Sequence, residues 1–159
     1  MSELADRLTG SWRELRRAAR PLRERLAAEL GIRLDESQVD ALEVIRTLGR
    51  ARMQELALAL RVDASTATRT VDRLVSSGLA ERAPHATDGR GTIVSLTSAG
   101  QRTLALVDER RREALLRVFD YFTPAEVEQL VSLLERLVVS VDRELEERPA
   151  SVEGSDAPR

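Results

Sequence analysis

The sequence predicts a mainly α-helical protein with a small antiparallel β hairpin. Apolar residues recur at steps of three or four over most of the chain, which is the helical period. Several of these runs begin at a capping residue, and an Asp-Gly pair separates two short strand-like runs at 79–83 and 92–96. The length of 159 residues allows one domain with a helical extension.

The composition excludes several classes of site. Apolar residues make up 42% and charged residues 33% of a chain that contains no cysteine. Disulfides, thiolate zinc sites, iron–sulfur clusters and thiol redox sensing are therefore excluded. No run approaches the ~20 uninterrupted apolar residues of a membrane span, and the N-terminus lacks the layout of a signal peptide. We expect a cytoplasmic protein with no membrane partner, no metal site and no cofactor.

The charge distribution gives only weak support for a nucleic-acid partner. The formal net charge is −2, and all 25 basic residues are Arg. Residues 1–30 and 50–96 each carry seven Arg against five acids, whereas residues 142–159 carry three Arg against six acids. Arg suits phosphates and guanine edges, but no block is strongly basic.

The first predicted helix covers about residues 4–30. Its apolar stripe includes Leu4, Leu8, Trp12, Leu15 and Leu26. Pro21 lies inside this pattern and should kink or divide the helix, and Gly31 should end it.

Two long helices are predicted at the C-terminal end. One runs from near Thr97 to about Asp120, and the other begins at Thr123, where Thr-Pro-Ala-Glu forms a capping box with Pro at the first helical position. Apolar residues at helical spacing continue to Leu145. Residues 148–159 are predicted to be a disordered tail. The apolar seams at both ends of the chain indicate a dimer interface or, alternatively, packing on the chain's own domain.

The middle of the chain predicts a helix-turn-helix. A helix with its N-cap at Asp35 and a capping box with Gln38 ends at Gly49. The face of this helix that we expect to be buried carries Val39, Leu42, Ile45 and Leu48. A short helix over about 52–60 and a helix over about 64–77 follow, with a three-residue turn between them. The hairpin after them would form the wing of a winged helix-turn-helix.

The helix over 64–77 has two different faces. Asp63 is its predicted N-cap and Gly78 its predicted end. The side expected to be buried carries Ala64, Ala67, Val71, Leu74 and Val75. The opposite side carries Ser65, Thr66, Arg69, Arg73 and Ser76, with Thr68 at the border. Hydroxyls reach bases or phosphates at short range and Arg can bind guanine O6 and N7, so this face suits the major groove. The alternative is an ordinary solvated surface helix.

The predicted hairpin carries an arginine near its tip. Arg90 follows Asp88 by two positions, and an Arg on a hairpin can enter a narrow minor groove, where the potential is most negative. The alternative is a solvent-exposed loop charge, with Asp88 initiating the turn. His85, the single His, is interpreted as a plain loop residue, although its charge changes near neutral pH and could tune DNA binding.

Three short segments carry the most specific patterns in the chain. They are DRLVSSGLAER at 72–82, Asp88-Gly89-Arg90, and VSLTSAG at 94–100. In this order and spacing they resemble the MarR family of winged helix-turn-helix transcriptional regulators. The three segments match the end of its recognition helix, the Asp-x-Arg signature of its wing, and its Leu-Thr-x-x-Gly entry into the next helix. With the flanking helices, the resemblance covers about residues 4–146.

The resemblance implies a sequence-specific DNA-binding transcriptional regulator, with repression as the family default. The residues implied to contact the major groove and its phosphates are Ser65, Thr66, Thr68, Arg69 and Arg73. Arg90 would reach the minor groove, and Asp88 would hold the wing by pairing with a nearby Arg.

The resemblance also implies a division of the chain and a homodimer. Residues 1–34 would form an N-terminal dimerisation helix, 35–100 the winged helix-turn-helix DNA-binding lobe, 97–147 the C-terminal dimerisation helices, and 148–159 the tail. Two recognition helices related by a two-fold axis should bind a pseudo-palindromic operator with half-sites ~34–36 Å apart.

Regulators of this family are commonly released from DNA by a small aromatic or phenolic ligand, bound between the dimer helices and the DNA-binding lobe. The first helix offers Trp12, Arg16 and Arg20. Trp12 fits the apolar stripe, so we interpret it as core or interface packing, with ligand contact as the alternative. We assign no ligand-binding residue from the sequence.

Two other classes of function are alternatives to a DNA-binding regulator. No nucleophile–base motif, HExxH or P-loop is present, so we expect no catalytic residue and no enzymatic activity. The other alternative is a winged-helix module that binds a protein and lacks specific DNA binding, since the local charge is weak.

Overall fold

The computed structural model describes residues 2–30, 34–84 and 92–147. In chain order the elements in these ranges are α1 (Ser2–Leu30), α2 (Glu36–Leu48), β1 (Ala51–Arg52), α3 (Met53–Leu60), α4 (Ala64–Ser76), β2 (Ala80–Pro84), β3 (Thr92–Leu96), α5 (Ser98–Phe119) and α6 (Pro124–Glu147). The predicted fold class, mainly α with a small antiparallel sheet, is confirmed. The predictions for Gly31, His85, Asp88, Arg90 and the 148–159 tail fall outside the described residues.

The chain divides into two units within α5, between Glu113 and Ala114. The first unit has a hydrophobic core to which α2, α3, α4, the sheet and the first part of α5 contribute. Its largest fully buried side chains are Leu42, Ile45, Leu56, Val71, Leu74, Val94 and Leu104. Burying such a side chain stabilises a fold by about 1.5–3 kcal/mol each, so this cluster holds the lobe together.

Helix α1 continues without a break through Pro21. Of the two outcomes predicted for this proline, division of the helix is therefore wrong. A proline removes one main-chain hydrogen bond, and the long helical segments on both sides of it tolerate that loss. The apolar residues of the first half of α1 are exposed in this chain, with Leu8 at 62% and Trp12 at 51%.

Helix α2 begins and ends where its sequence predicts. The Asp35 carboxylate accepts the Gln38 N–H at 2.9 Å, and Gln38 Oε1 accepts the Asp35 N–H at 3.3 Å, which completes the capping box. At the other end Gly49 has φ +70° and donates its N–H to the carbonyl of Ile45. The expectation that Leu48 is buried is wrong, because Leu48 is the last residue of the helix, lies beyond the core and is 43% exposed.

The sheet has the order β1-β3-β2, and both pairs are antiparallel. The predicted hairpin is confirmed, with Ala80 opposite Leu96 and Pro84 opposite Thr92. Strand β1 was not predicted. It has two residues, and Ala51 pairs with Val94, so that β3 becomes the central strand.

The end of α4 and the start of α5 are joined by Thr97. Its hydroxyl donates to the Gly78 carbonyl at 2.7 Å and accepts the Gly100 N–H at 3.0 Å, while its own N–H donates to the Leu79 carbonyl at 3.1 Å. A Cβ at Gly100 would lie 2.0 Å from the Leu79 oxygen, so no larger residue fits there. The Thr-x-x-Gly spacing therefore has a structural cause. We call this joint, made by Gly78, Leu79, Thr97 and Gly100, the Thr97 clasp.

Two ion pairs attach α5 to α2 in the first unit. Arg46 lies 2.5 Å from the Asp108 carboxylate, and Arg111 lies 2.6 Å from the Glu43 carboxylate. All four side chains are more than one-third exposed, so each pair contributes at most about 1 kcal/mol. The pairs set the register of the two helices more than they stabilise the fold.

Candidate nucleic-acid interface

Helix α4 is the second helix of a helix-turn-helix. Arg61 ends α3 in the left-handed region with φ +56°, and the chain turns through Val62 to Asp63 before α4 begins. The residues of α4 that are buried are Ala67, Thr70, Val71 and Leu74. Two details of the predicted wheel are wrong: Ala64 is exposed because the first turn extends past the core, and Thr70 replaces it on the buried side.

The N-terminus of α4 is organised by Asp63. Its carboxylate accepts the Ser65 hydroxyl at 2.5 Å, the Thr66 hydroxyl at 2.7 Å and the Thr66 N–H at 2.9 Å. These hydrogen bonds, the Ser65 hydroxyl foremost, hold the pKa of Asp63 well below its ordinary value. Both hydroxyl protons are thereby directed at Asp63. The hydroxyl oxygens keep their lone pairs and can accept hydrogen bonds from outside the protein.

Ser65 connects this network to the first arginine of the face. Arg69 Nη2 donates to the Ser65 hydroxyl oxygen at 3.2 Å, and both side chains are exposed. Thr68 lies beside them and donates its hydroxyl to the Ala64 carbonyl at 2.7 Å. Asp63, Ser65 and Arg69 therefore form a chain of hydrogen bonds along the exposed face of α4, which we call the α4 relay.

The second arginine has different partners. Arg73 Nη2 donates to Asp35 Oδ2 at 2.6 Å and to Gln38 Oε1 at 2.9 Å, both at the start of α2. Partial burial raises the pKa of Asp35, but hydrogen bonds from Ser37, the Gln38 N–H and Arg73 outweigh burial and leave that pKa below its ordinary value. Gln38 is 3% exposed, although the capping pattern alone gave no sign that its side chain is buried.

One ion pair fastens the wing strand β2 to α4. Arg82 Nη1 lies 2.5 Å from Asp72 Oδ1. The family resemblance implied that Asp88 holds the wing by pairing with an Arg, but Asp88 and Arg90 lie outside the described residues. Among the described residues, the Asp72–Arg82 pair links the wing strand β2 to the recognition helix. Both residues belong to the DRLVSSGLAER segment, whose ends meet because the chain reverses at Gly78.

A cavity of about 390 Å³ lies between the C-terminal half of α1, the start of α2 and the middle of α5. Its wall combines apolar and charged side chains: Leu26, Leu34, Val39 and Val107 with Arg20, Arg23, Arg110, Arg111, Glu24, Asp35 and Glu36. Of the α1 residues considered from the sequence, Arg20 lines the cavity, and Trp12 and Arg16 do not.

The structure offers no metal cluster of three or more His, Cys, Asp or Glu among the described residues. Within the same residues, no helix combines the length and the apolar character that crossing a membrane requires.

The fold and this face define the chain as a DNA-binding protein of the winged helix-turn-helix class. A sequence profile of the MarR family matches residues 34–92. A crystal structure of a mutant MarR from Escherichia coli complexed with operator DNA is 30% identical, with a TM-score of 0.63 over 78% of this chain and 91% of that one.

Curated relatives agree. The HTH-type transcriptional regulator YpoP of Bacillus subtilis (strain 168) is 28% identical, over 77% of this chain and 87% of its own length. The HTH-type transcriptional repressor IacR of Pseudomonas putida is 32% identical, over 65% of this chain and 62% of its own length. The chain belongs to the MarR family and is a transcriptional regulator, not an enzyme.

Proposed function

We propose that this protein is a cytoplasmic repressor that binds a pseudo-palindromic operator as a homodimer and is released by a small aromatic or phenolic ligand. The observation that carries the proposal is the exposed face of α4, where Asp63 orders the hydroxyls and, through Ser65, Arg69, beside a wing strand that an ion pair fastens to the helix. The proposed DNA contacts are Ser65, Thr66, Thr68, Arg69 and Arg73 on α4, and Asp88 and Arg90 in the wing.

Two relatives support the operator and the repressor role. A MarR mutant has been crystallised with operator DNA, and IacR is named a repressor. The chemistry agrees, because guanidinium groups can bind guanine edges and phosphates and hydroxyl oxygens can accept from base amino groups.

The exposed apolar faces of the terminal helices support a homodimer. None of the described side chains of α1 is buried, and α6 buries none at all. On α6 the apolar residues follow helical spacing, and Leu134 is 45% and Val138 55% exposed. A second copy of the chain would cover them, and exposed apolar patches of this length mark interaction surfaces. We therefore assign 1–34 and 97–147 to dimerisation and 35–100 to DNA binding.

The cavity between α1, α2 and α5 is the proposed ligand site. Its volume is large enough for a small ligand with an aromatic ring, its apolar residues can pack against that ring, and its arginines favour an anionic substituent. Arg23 lines the cavity and pairs with Glu36, whereas Arg25 of the same helix pairs with Glu29 and does not line it. Changing Arg23 to Ala should weaken binding of a hydroxybenzoate in a calorimetric titration, and changing Arg25 to Ala should not.

The experiment that tests DNA binding is selection of duplexes from a random-sequence library, followed by titration over a range of salt concentrations. Enrichment of a two-fold symmetric motif, with affinity that falls steeply as salt rises, would support the proposal. Changing Arg69 to Ala should remove most of the preference for the selected motif over other duplex sequences. If no motif is enriched and affinity hardly depends on salt, the winged helix serves a protein partner instead.

A further inference from the structure

The two arginines on the exposed face of α4 stand in different surroundings. Arg69 and Arg73 lie four residues apart, on the same side of the helix. Arg69 donates within its own helix, to Ser65, as part of the α4 relay. Arg73 donates across to another helix, to Asp35 and Gln38 at the start of α2.

The acceptors of Arg73 are already held in place by other contacts. Asp35 is the N-cap of α2 and also accepts the Ser37 hydroxyl and the Gln38 N–H. The Gln38 side chain is almost fully buried, and its oxygen also accepts the Asp35 N–H. The two oxygens that accept from Arg73 are therefore already fixed, so little additional conformational entropy is lost when the contact forms. Losing Arg73 would leave the buried Gln38 oxygen with the longer hydrogen bond from the Asp35 N–H, at 3.3 Å instead of 2.9 Å.

The pairing also reduces what Arg73 can offer to DNA. The Asp35 carboxylate lies 2.6 Å from Arg73 Nη2 and carries the same sign of charge as a phosphate. A guanidinium neutralised by a carboxylate contributes little to the release of counterions from DNA, whereas Arg69 donates to an uncharged hydroxyl.

We propose that Arg73 is a positioning residue that fixes α4 on the start of α2, and that Arg69 is the arginine of this face that contacts DNA directly. This inference rests on the proposed DNA binding by α4, and it replaces the direct contact proposed above for Arg73 with a positioning role. Asp35 and Gln38 thereby become determinants of the angle at which α4 is presented.

The test compares four single variants and one double variant on the duplex selected by the wild-type protein. The variants are Arg69→Gln, Arg73→Gln, Asp35→Asn, Glu36→Gln and the double variant Asp35→Asn with Arg73→Gln. Asn is as good an N-cap as Asp, so Asp35→Asn keeps α2 capped through the remaining oxygen and removes both the charge and the second oxygen that accepts from Arg73. Glu36→Gln is the matched control, because it removes the neighbouring negative charge, whose partner is Arg23 of α1. Affinity is measured over a series of salt concentrations, and folding is checked by thermal unfolding.

A positioning role predicts that Arg73→Gln and Asp35→Asn weaken binding by similar factors, about two- to fivefold, the scale of a half-exposed ion pair. The double variant should be no weaker than either single one. The slope of log affinity against log salt should stay at its wild-type value in all three. Arg69→Gln should lower the magnitude of that slope by about one, the effect of one lost phosphate contact. Glu36→Gln should leave affinity at or slightly above that of the wild type.

If Arg73 contacts DNA directly, Asp35→Asn should strengthen DNA binding instead of weakening it. If Asp35→Asn frees the guanidinium and strengthens binding, or if Arg73→Gln lowers the salt slope by about one, the inference is wrong and the proposed function stands. Asp35→Asn decides the question even if Arg73→Gln does not fold. If the wild-type protein selects no duplex, the proposed function and the inference fail together.

Discussion

The DNA-binding lobe and the terminal helices use the same apolar residues in opposite ways. In the lobe, Leu42, Leu56 and Leu74 are fully buried within the chain. On α6, Leu134 and Leu137 recur at the same helical spacing and remain 45% and 44% exposed. An apolar stripe therefore identifies a face that needs a partner, and only the structure tells whether the same chain provides that partner. The apolar faces of the lobe are buried within one chain, and we expect a second chain to cover the apolar faces of the terminal helices.

The largest expected effect is on the lobe. Changing Leu74 to Ala should lower the free energy of unfolding by about 2–5 kcal/mol, because it removes a fully buried side chain and leaves a cavity. The matched control is Leu58→Ala on α3, where Leu58 is 82% exposed and the change should stay within about 0.5 kcal/mol. Urea unfolding of both variants gives the two values. If both variants lose the same free energy of unfolding, burial of Leu74 within the chain does not stabilise the lobe more than the exposed Leu58 does.

The next largest effect is expected on the terminal helices, as a change in the dissociation constant of the dimer. Changing Leu134 to Arg on α6 should raise the dissociation constant of the dimer about five- to thirtyfold, since losing an apolar interface contact costs about 1–2 kcal/mol. Glu135→Arg, one position away, should have a much smaller effect. Sedimentation equilibrium measures both. If Leu134→Arg does not change the dissociation constant, the dimer interface lies elsewhere and a second chain does not cover the apolar face of α6.

A smaller effect concerns the Thr97 clasp. Replacing Thr97 by Val keeps the shape of the side chain but removes its hydrogen bonds to the Gly78 carbonyl and the Gly100 N–H. Such a loss should cost about 1–2 kcal/mol of unfolding free energy. Thr47→Val is the control, because the Thr47 hydroxyl donates only to the Glu43 carbonyl on the surface of α2. If the two variants unfold at the same urea concentration, the clasp does not stabilise the lobe.

The smallest effect is the pH dependence that Asp63 gives to the lobe. Its pKa is lowered in the folded protein by the Ser65 and Thr66 hydrogen bonds, so its stabilising contribution is present above the unfolded pKa of about 3.9. That contribution is lost progressively as the pH falls from there toward the lowered folded value. Changing Asp63 to Asn keeps an N-cap and should make the unfolding midpoint fall less steeply as the pH drops below about 4. Parallel pH profiles for the two proteins would contradict this role.

Short-range chemistry explains which parts of the fold the sequence predicts. The capping boxes at Asp35 and Thr123 and the chain reversal at Gly78 join residues at most five positions apart, so their patterns are visible in the sequence. Pro21 is an exception, because a local pattern that can divide a helix does not do so here. The loss of one main-chain hydrogen bond does not interrupt a helix as long as α1.

Contacts between distant residues explain what the sequence does not predict. Strand β1 has two residues and exists because Ala51 and Arg52 pair with β3. The helical wheel of α4 places Arg69 and Arg73 on one face, but it contains no information on α2, which supplies the acceptors of Arg73. The α4 relay is local, yet its direction depends on the rotamers of Ser65 and Arg69, which residue spacing does not specify.

The Thr97 clasp gives α5 the mechanical properties of a lever arm. Three hydrogen bonds and the close approach of Gly100 to the Leu79 carbonyl leave little freedom to bend between the last turn of α4 and the first turn of α5. Within the first unit, α5 runs from Ser98 to Glu113, which is 16 residues and corresponds to about 24 Å at a rise of ~1.5 Å per residue. A rotation of α4 by about 10° with this joint held rigid would displace the Glu113 end of this segment by roughly 4 Å. Conversely, a push of that size at Glu113 would turn the recognition helix through the same angle.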